Sequence, residues 1–278
     1  MTSVIVIPTH RSGVGLLANL LGSFNGYNKY PILVVISDYR KKDGKVFRDI
    51  KEKFLHLPIT WEHIKTNSFE LGGLYTAYKE TNYDEFLLLS HSCEIVNTEI
   101  FDLVFEKWLG KSVAFGLQSG NWKYAQGENE KFTLRHLDRR TNSELLNLGD
   151  ITFWQAHIGK YRRTILDQMN LPEYLPTNMI EAISKSELLF TSTYHAADSS
   201  TVVLFPSWKD GNVFEEKCGK KRLKIMNDYI IKWKTHWNTN MVFDDMRSQY
   251  TSYIVKKLLR SKFPTIYSRL KGIRKTPA

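Results

Sequence analysis

An α/β architecture, with a doubly wound and mostly parallel sheet carrying helices on both faces, follows from three observations on the chain. The runs Pro31 to Ser37 and Phe86 to Leu89 are apolar without alternation, which is how a strand buried on both faces reads. Strand-like and helix-like segments alternate through the first hundred residues, the order of βαβ units rather than of hairpins. With 278 residues, of which 42% are hydrophobic, the chain has enough apolar surface for one large core.

The elements follow in order. Val4 to Ile7 predicts a first strand stopped by Pro8, and Ser12 to Phe24 carries Val14, Leu17, Leu20 and Leu21 at helical spacing. Gly13 and Gly15 let the backbone pass close to something, but no Lys followed by Ser or Thr comes after them, so this is not a Walker loop. Pro31 to Ser37 is the second strand, and a helix follows from about Val46 to Leu55. Ile59 to Ile64 is a short third strand, Asn67 to Gly73 a loop, Leu74 to Lys79 a helix, and Phe86 to Leu89 the fourth strand.

Beyond this half the texture changes. Ile100 to Leu109 reads as helix, Val113 to Leu117 as strand, and Gln118 to Asn142 as a polar, irregular stretch of the kind that serves function or mobility. Asp150 to His157 reads as an aromatic strand, Gly159 to Met169 as a basic helix, and Thr177 to Tyr194 as a further helix. The expected organisation is a domain over 1–240, with halves 1–97 and 98–240, and a basic helical tail over 241–278.

Charge points to an anionic partner. The net charge is +10, and from Arg247 to Ala278 nine Lys or Arg residues stand with no acidic ones. Ile254, Leu258 and Leu259 suit one face of a helix with Lys256, Lys257 and Arg260 around it, a pattern that fits either a helix packed on the domain or peripheral contact with a membrane. No nucleic-acid-binding motif is present, so nucleic acid is not the expected partner. Cys93 and Cys218 have no metal-ligand spacing and indicate neither a disulfide framework nor a zinc site. The opening MTSVIVIPTHR has no basic n-region, and no apolar run reaches membrane-spanning length, so a reduced, cytoplasmic setting is expected.

In a parallel sheet the carboxyl ends of the strands share one edge, where ligands bind in open α/β folds. On that edge fall Pro8, Thr9, His10 and Arg11, then Asp38 and Tyr39, then Asn67 to Gly73, and finally Ser90, His91, Ser92, Cys93 and Glu94. A carboxylate such as Asp38 can accept from a base or ribose, a guanidinium can face phosphate, and glycine permits close approach.

This ordered set, IVIPTHR, VVISDY and FLLLSHSCE, resembles the nucleotide-sugar-binding half of GT-A glycosyltransferases of the family 2 kind, and the likeness extends over about residues 1 to 237. It implies a GT-A fold and transfer of a sugar, from a UDP-sugar most readily, to a hydroxyl of a glycan or glycolipid during polysaccharide biosynthesis. Pro8, Thr9, His10, Arg11, Asp38, Tyr39, Asn67, Gly73, Ser90, His91 and Ser92 would line the donor site. The segment ITFWQAHIGKYRRTIL resembles the acceptor side, and ISKSELLFTSTY the helix that delivers the catalytic carboxylate, making Glu187 the general base with Glu181 as second candidate. His157, His195 and Asp198 lie near these segments, and Trp122, Tyr124 and Trp154 could stack on a sugar.

The chain departs from the family where an Asp-x-Asp motif would hold a divalent metal, because Ser90 to Glu94 supplies no such pair. One reading keeps Mn2+ or Mg2+ on His91 and Glu94. The other dispenses with metal and neutralises the diphosphate with Lys160 to Arg163 or Lys217 to Arg222. The lost motif also leaves open a catalytically inactive domain of this type that binds a glycan or a partner.

Overall fold

The computed structural model describes residues 1–39, 44–65, 69–115, 118–121, 150–153, 158–177, 181–204 and 229–232. By its contacts the chain divides into Met1–Thr235 and His236–Ala278, and every described residue lies in the first unit. The basic tail, Asn67, Trp122, Tyr124, Trp154, His157 and Lys217 to Arg222 lie outside the described residues.

The expected α/β sheet is observed. Seven strands run in the order β10-β6-β9-β4-β1-β2-β3: β1 (Ser3–His10), β2 (Ile32–Ser37), β3 (Ile59–His63), β4 (Glu85–Leu89), β6 (Val113–Ala114), β9 (Ile158–Arg162) and β10 (Val202–Val203). Only β9 pairs antiparallel, with β4 on one side and β6 on the other. Two small antiparallel pairs complete the strands, β5 (Cys93–Ile95) with β11 (Ile230–Lys232) and β7 (Gln118–Asn121) with β8 (Asp150–Phe153). The stretch expected to be irregular thus opens as a paired strand.

β1 is made almost wholly of buried β-branched residues, and it runs through Pro8 rather than stopping there. The reason is local. Ile5 donates its N–H toward β2, to Pro31, so Val4, Val6 and Pro8 face the β4 side. Pairing with β4 ends at Val6, and the proline therefore lacks an N–H only where no ladder bond is called for.

Helices cover both faces. α1 (Val14–Ser23) buries Val14, Leu17, Leu20 and Leu21, and α2 (Gly44–Lys53) buries Phe47 and Ile50. α3 (Phe69–Glu80) begins five residues earlier than the sequence suggested, because Leu71 and Leu74 together pack into the core over Val4, Val6, Leu33 and Val35. α4 (Glu99–Asp102) continues as a π turn over Leu103–Lys107, and short helices α5 (Arg163–Leu166) and α6 (Leu171–Tyr174) follow. A π-helical stretch, Ala182–Phe190, then leads into α7 (Thr191–Ala197), whose Tyr194 joins the same core as α3.

The basic segment from Gly159 is the main departure from expectation. It forms β9 through Arg162 and turns helical only over Arg163–Leu166, α5, since Ile158, Gly159, Lys160 and Tyr161 are all buried between β4 and β6. Lys160 is fully enclosed, its Nζ donating to Glu85 at 2.9 Å and to the Trp108 carbonyl at 2.7 Å. Glu85 also accepts from Ser3 Oγ and from the Gly110 N–H. Burial pushes the Lys160 ammonium down, against the pull of Glu85. Arg163 donates to the carbonyls of Tyr78, Thr81 and Tyr83. Because Arg162 pairs with Glu85 at the start of β4, this end of the basic run lies on the amino edge of the sheet, remote from the ligand edge. Neither Lys160 nor Arg163 has its charge available for a diphosphate.

Candidate active site

The strand order reverses at β1. β2 and β3 extend to one side of it and β4 lies on the other, so the switch point opens between the carboxyl ends of β1 and β4. The first of these ends carries Thr9, His10 and Arg11, and the second Ser90, His91 and Ser92.

Residues 90–92 form a tight buried corner between β4 and β5. Ser90 and Ser92 hydroxyls lie 3.0 Å apart, and the Cys93 N–H donates to the Ser90 carbonyl. The His91 ring reaches across to β1, with Nδ1 3.2 Å from the Pro8 carbonyl. A carbonyl only accepts, so that contact puts a proton on Nδ1. On its other side the ring abuts His10 edge to face, with centroids 5.0 Å apart. Gly13 makes room for it: a Cβ there would stand 2.8 Å from both Cδ2 and Nε2 of His91 and 2.9 Å from Thr9 Oγ1. The close approach expected of Gly13 is therefore made by a side chain of the same protein.

Asp38 follows β2, in register next to His10 and Arg11. Its φ of 50° lies in the left-handed region, unusual for a residue with a side chain and typical of strain kept at working sites. Arg11 Nε lies 3.8 Å from Asp38 Oδ2, near enough to feel the charge but too far for a hydrogen bond. The Arg11 Nη1 atom is buried and finds no hydrogen-bond partner among the described residues. Burial holds the His10 imidazole below its ordinary pKa, with Asp38 pulling the other way.

Tyr39 and Gly73 are structural. The Tyr39 ring packs against His63 and Phe47, at centroid distances of 4.2 and 5.9 Å, and its hydroxyl sits beside Gly44. Gly73, expected in a loop, lies within α3, where a Cβ would stand 2.6 Å from Pro8 Cβ. His63 was not singled out from the sequence. It closes β3 at the same edge as Asp38, and the strand-end rule applied to ITWEH would have found it.

Glu94 lies on β5 between buried Cys93 and Ile95 and is itself half-buried, so its side chain alternates to the other face of that short strand. Glu181 accepts from the N–H and hydroxyl of Thr177 and pairs with Lys185, a capping role. Glu187 is half-buried on the π-helical stretch. The end of α7 is fixed at the amino edge of the sheet, where the Tyr194 hydroxyl meets Ser112 Oγ and the Arg162 N–H. The stretch that carries Glu187 leads directly into α7.

His195 and Asp198 belong to that far edge. Asp198 accepts from Ser112, Ser200 and Arg162. Burial alone would raise its pKa, but these bonds hold it below the ordinary carboxylate value. Asp198 is thus part of the frame and not of a loop over the pocket.

A divalent cation on a diphosphate calls for hard oxygen donors. At this corner the donors are a single imidazole with Nδ1 committed and two hydroxyls within bonding distance of each other, and among the described residues no three His, Cys, Asp or Glu side chains converge. The donor set does not fit such a cation. The surroundings suit an anion instead: a buried guanidinium nitrogen in need of an acceptor, beside an α1 whose first turn has no side-chain cap.

No protein-family model matches the chain, and no curated protein matches it. Among solved structures it is similar in fold to S. aureus TarS in complex with UDP-GlcNAc, at 12% identity over 87% of this chain and 62% of that one, with a TM-score of 0.43. It is also similar to the mannosyltransferase PcManGT from Pyrobaculum calidifontis in complex with GDP-Man and Mn2+, at 9% identity over 81% of this chain and 60% of that one, TM-score 0.41. A third is 4-diphosphocytidyl-2C-methyl-D-erythritol synthase from Anaerococcus prevotii, at 13% identity over 73% of this chain and 86% of that one, TM-score 0.44. The chain spans less than two thirds of the TarS and mannosyltransferase chains it matches. The likeness is one of fold.

Proposed function

We propose that the chain is an inverting glycosyltransferase that takes a sugar from a nucleotide diphosphate sugar, most readily a UDP-sugar, and transfers it to a hydroxyl of a glycan or glycolipid. The observation that carries this reading is the polar cluster at the carboxyl ends of β1, β2 and β4, where Thr9, His10, Arg11 and Asp38 share one edge with Ser90, His91 and Ser92.

In the proposed reaction an acceptor hydroxyl oxygen attacks the anomeric carbon. The bond from that carbon to the β-phosphate oxygen breaks, the nucleoside diphosphate leaves with the bonding pair, and the hydroxyl proton passes to the Glu187 carboxylate. Glu187 is preferred to Glu181 because ISKSELLFTSTY resembles the family's helix that delivers the catalytic carboxylate, with Glu187 at the matching position. Asp38 would accept from the nucleoside. The domain 1–240 would hold both substrates, and the tail 241–278 would supply peripheral membrane contact near a lipid-linked acceptor. Among the described residues no helix is long and apolar enough to cross a membrane.

The test is release of nucleoside diphosphate from a panel of UDP-, GDP- and dTDP-sugars, with Glu187→Gln as the variant. Turnover should fall by about 10²–10⁴ in the variant while nucleotide binding persists. A protein that binds no nucleoside diphosphate would rule the reading out, and undiminished turnover in the variant would remove Glu187 from it.

A further inference from the structure

We infer that this chain binds its nucleoside diphosphate without a divalent cation, the Arg11 guanidinium supplying the positive charge that the metal supplies elsewhere. The inference rests on the donor-site reading above and adds to it the means by which the diphosphate is neutralised.

Three features of the switch point lead there. The corner after β4 presents Ser90, His91 and Ser92 where a cation would need carboxylates, and its hydroxyls and Nδ1 already have neighbours within bonding distance. Across the crevice, Arg11 sits in the short turn between β1 and α1 with Nη1 buried and without a hydrogen-bond partner among the described residues. A buried guanidinium nitrogen left in this way loses hydration without recompense, a cost that is relieved when a ligand completes the group. Asp38 stands off from Arg11 Nε at 3.8 Å, beyond hydrogen-bond distance. The planar guanidinium matches two phosphate oxygens at once, a geometry a lysine cannot reproduce.

Of the two basic runs, Lys160 to Arg163 is excluded by position, and Lys217 to Arg222 lies outside the described residues. Lys160 and Arg163 are spent on Glu85 and on backbone carbonyls at or toward the amino edge. His91 has its Nδ1 bonded to the Pro8 carbonyl. Arg11 stands in the turn that ends β1, beside Asp38.

Calorimetric titration of the full chain with UDP, GDP, CDP and ADP, and with the matching monophosphates, decides the matter when run in EDTA and again with Mn2+. The expected result is that a diphosphate binds in EDTA within about twofold of its affinity in Mn2+. Arg11→Ala should weaken that diphosphate tenfold or more and the monophosphate less, and Arg11→Lys should recover only part of the loss. Circular dichroism of both variants would establish that they fold as the wild type does. Binding in Mn2+ that vanishes in EDTA would overturn the inference and leave the donor-site reading intact. Arg11→Ala with wild-type affinity in EDTA would overturn it too. Failure of every diphosphate in both conditions would bring down the inference together with the donor site.

Discussion

Substituting Gly13 tests the geometry of the switch point directly. The residue has φ −88° and ψ 3°, a conformation open to alanine and serine, so backbone strain does not enter. What a side chain meets is the His91 ring at 2.8 Å and Thr9 Oγ1 at 2.9 Å, roughly 1 Å inside ordinary contact. The ring cannot swing away cheaply. It is 93% buried, its Nδ1 is bonded to Pro8, and His10 closes its other side. Overpacking of this kind costs about 1–3 kcal/mol. For a domain of this size that is a fall in Tm of roughly 2–12 °C.

Capping must be separated from crowding, because Gly13 is also the N-cap of α1 and alanine caps poorly. Gly13→Ser makes the separation. Serine is a better cap than glycine yet brings the same Cβ, so the steric account expects Gly13→Ser to be destabilised nearly as much as Gly13→Ala. Gly15→Ala is the internal control: nothing lies within 4 Å of its Cβ position, and it should be neutral or stabilising by up to about 1 kcal/mol. Thermal melts of the three variants, followed by circular dichroism, suffice. Gly13→Ser melting at or above the wild-type temperature would refute the wedge between Gly13 and His91, and with it the account of how the corner after β4 is held.

Lys160→Met should cost about 3–5 kcal/mol in urea unfolding, because it strands Glu85 in the core without its cation, and adding Glu85→Gln should restore part of that; a single variant within 1 kcal/mol of wild type would contradict the buried pair. Asp198 has a folded pKa below its ordinary value, so its contribution to stability is complete above about pH 4 and drains away as pH falls further. The stability gap between wild type and Asp198→Asn should therefore be widest near neutrality and shrink in acid, and a gap that widens on acidification would reverse the assignment. In NMR titrations the His10 imidazole should lose its proton below the ordinary imidazole value of 6.5, and Asp38→Asn should lower it further by removing the charge that opposes burial; an upward move would mean that Asp38 does not face it.

Much of the parallel half of the fold was legible because β1, β2 and β4 are buried on both faces and so announce themselves without alternation. Val4 to Ile7, Pro31 to Ser37 and Phe86 to Leu89 each fall within an observed strand or overlap one closely. The donor cluster was legible for the same reason, since a parallel sheet sends the residues after each strand to one edge. Pairings within the cluster were not. That Gly13 accommodates His91 and that Gly73 accommodates Pro8 depends on the packing of α1 and α3, which no spacing encodes. α3 itself began early because a glycine pair, read as a loop signal, is what lets the helix approach β1.

The basic run after Gly159 shows how one antiparallel strand redirects a functional reading. Had Lys160 to Arg163 opened a helix after a parallel strand, its charges would have stood at the ligand edge. As β9 runs the opposite way, its end carries Arg162 and Arg163 to the amino edge, where Arg162 meets Asp198 and Arg163 the carbonyls around Tyr83, while Lys160 turns inward to Glu85. Ser112, Tyr194 and Ser200 join this set, so the amino edge holds the ionic groups that fix α7 and β9 to the sheet. At the carboxyl edge Arg11 Nε stands 3.8 Å from Asp38 Oδ2, and Arg11 Nη1 is buried without a hydrogen-bond partner among the described residues. The direction of one strand thus takes Arg162 and Arg163 away from the edge where Arg11 stands.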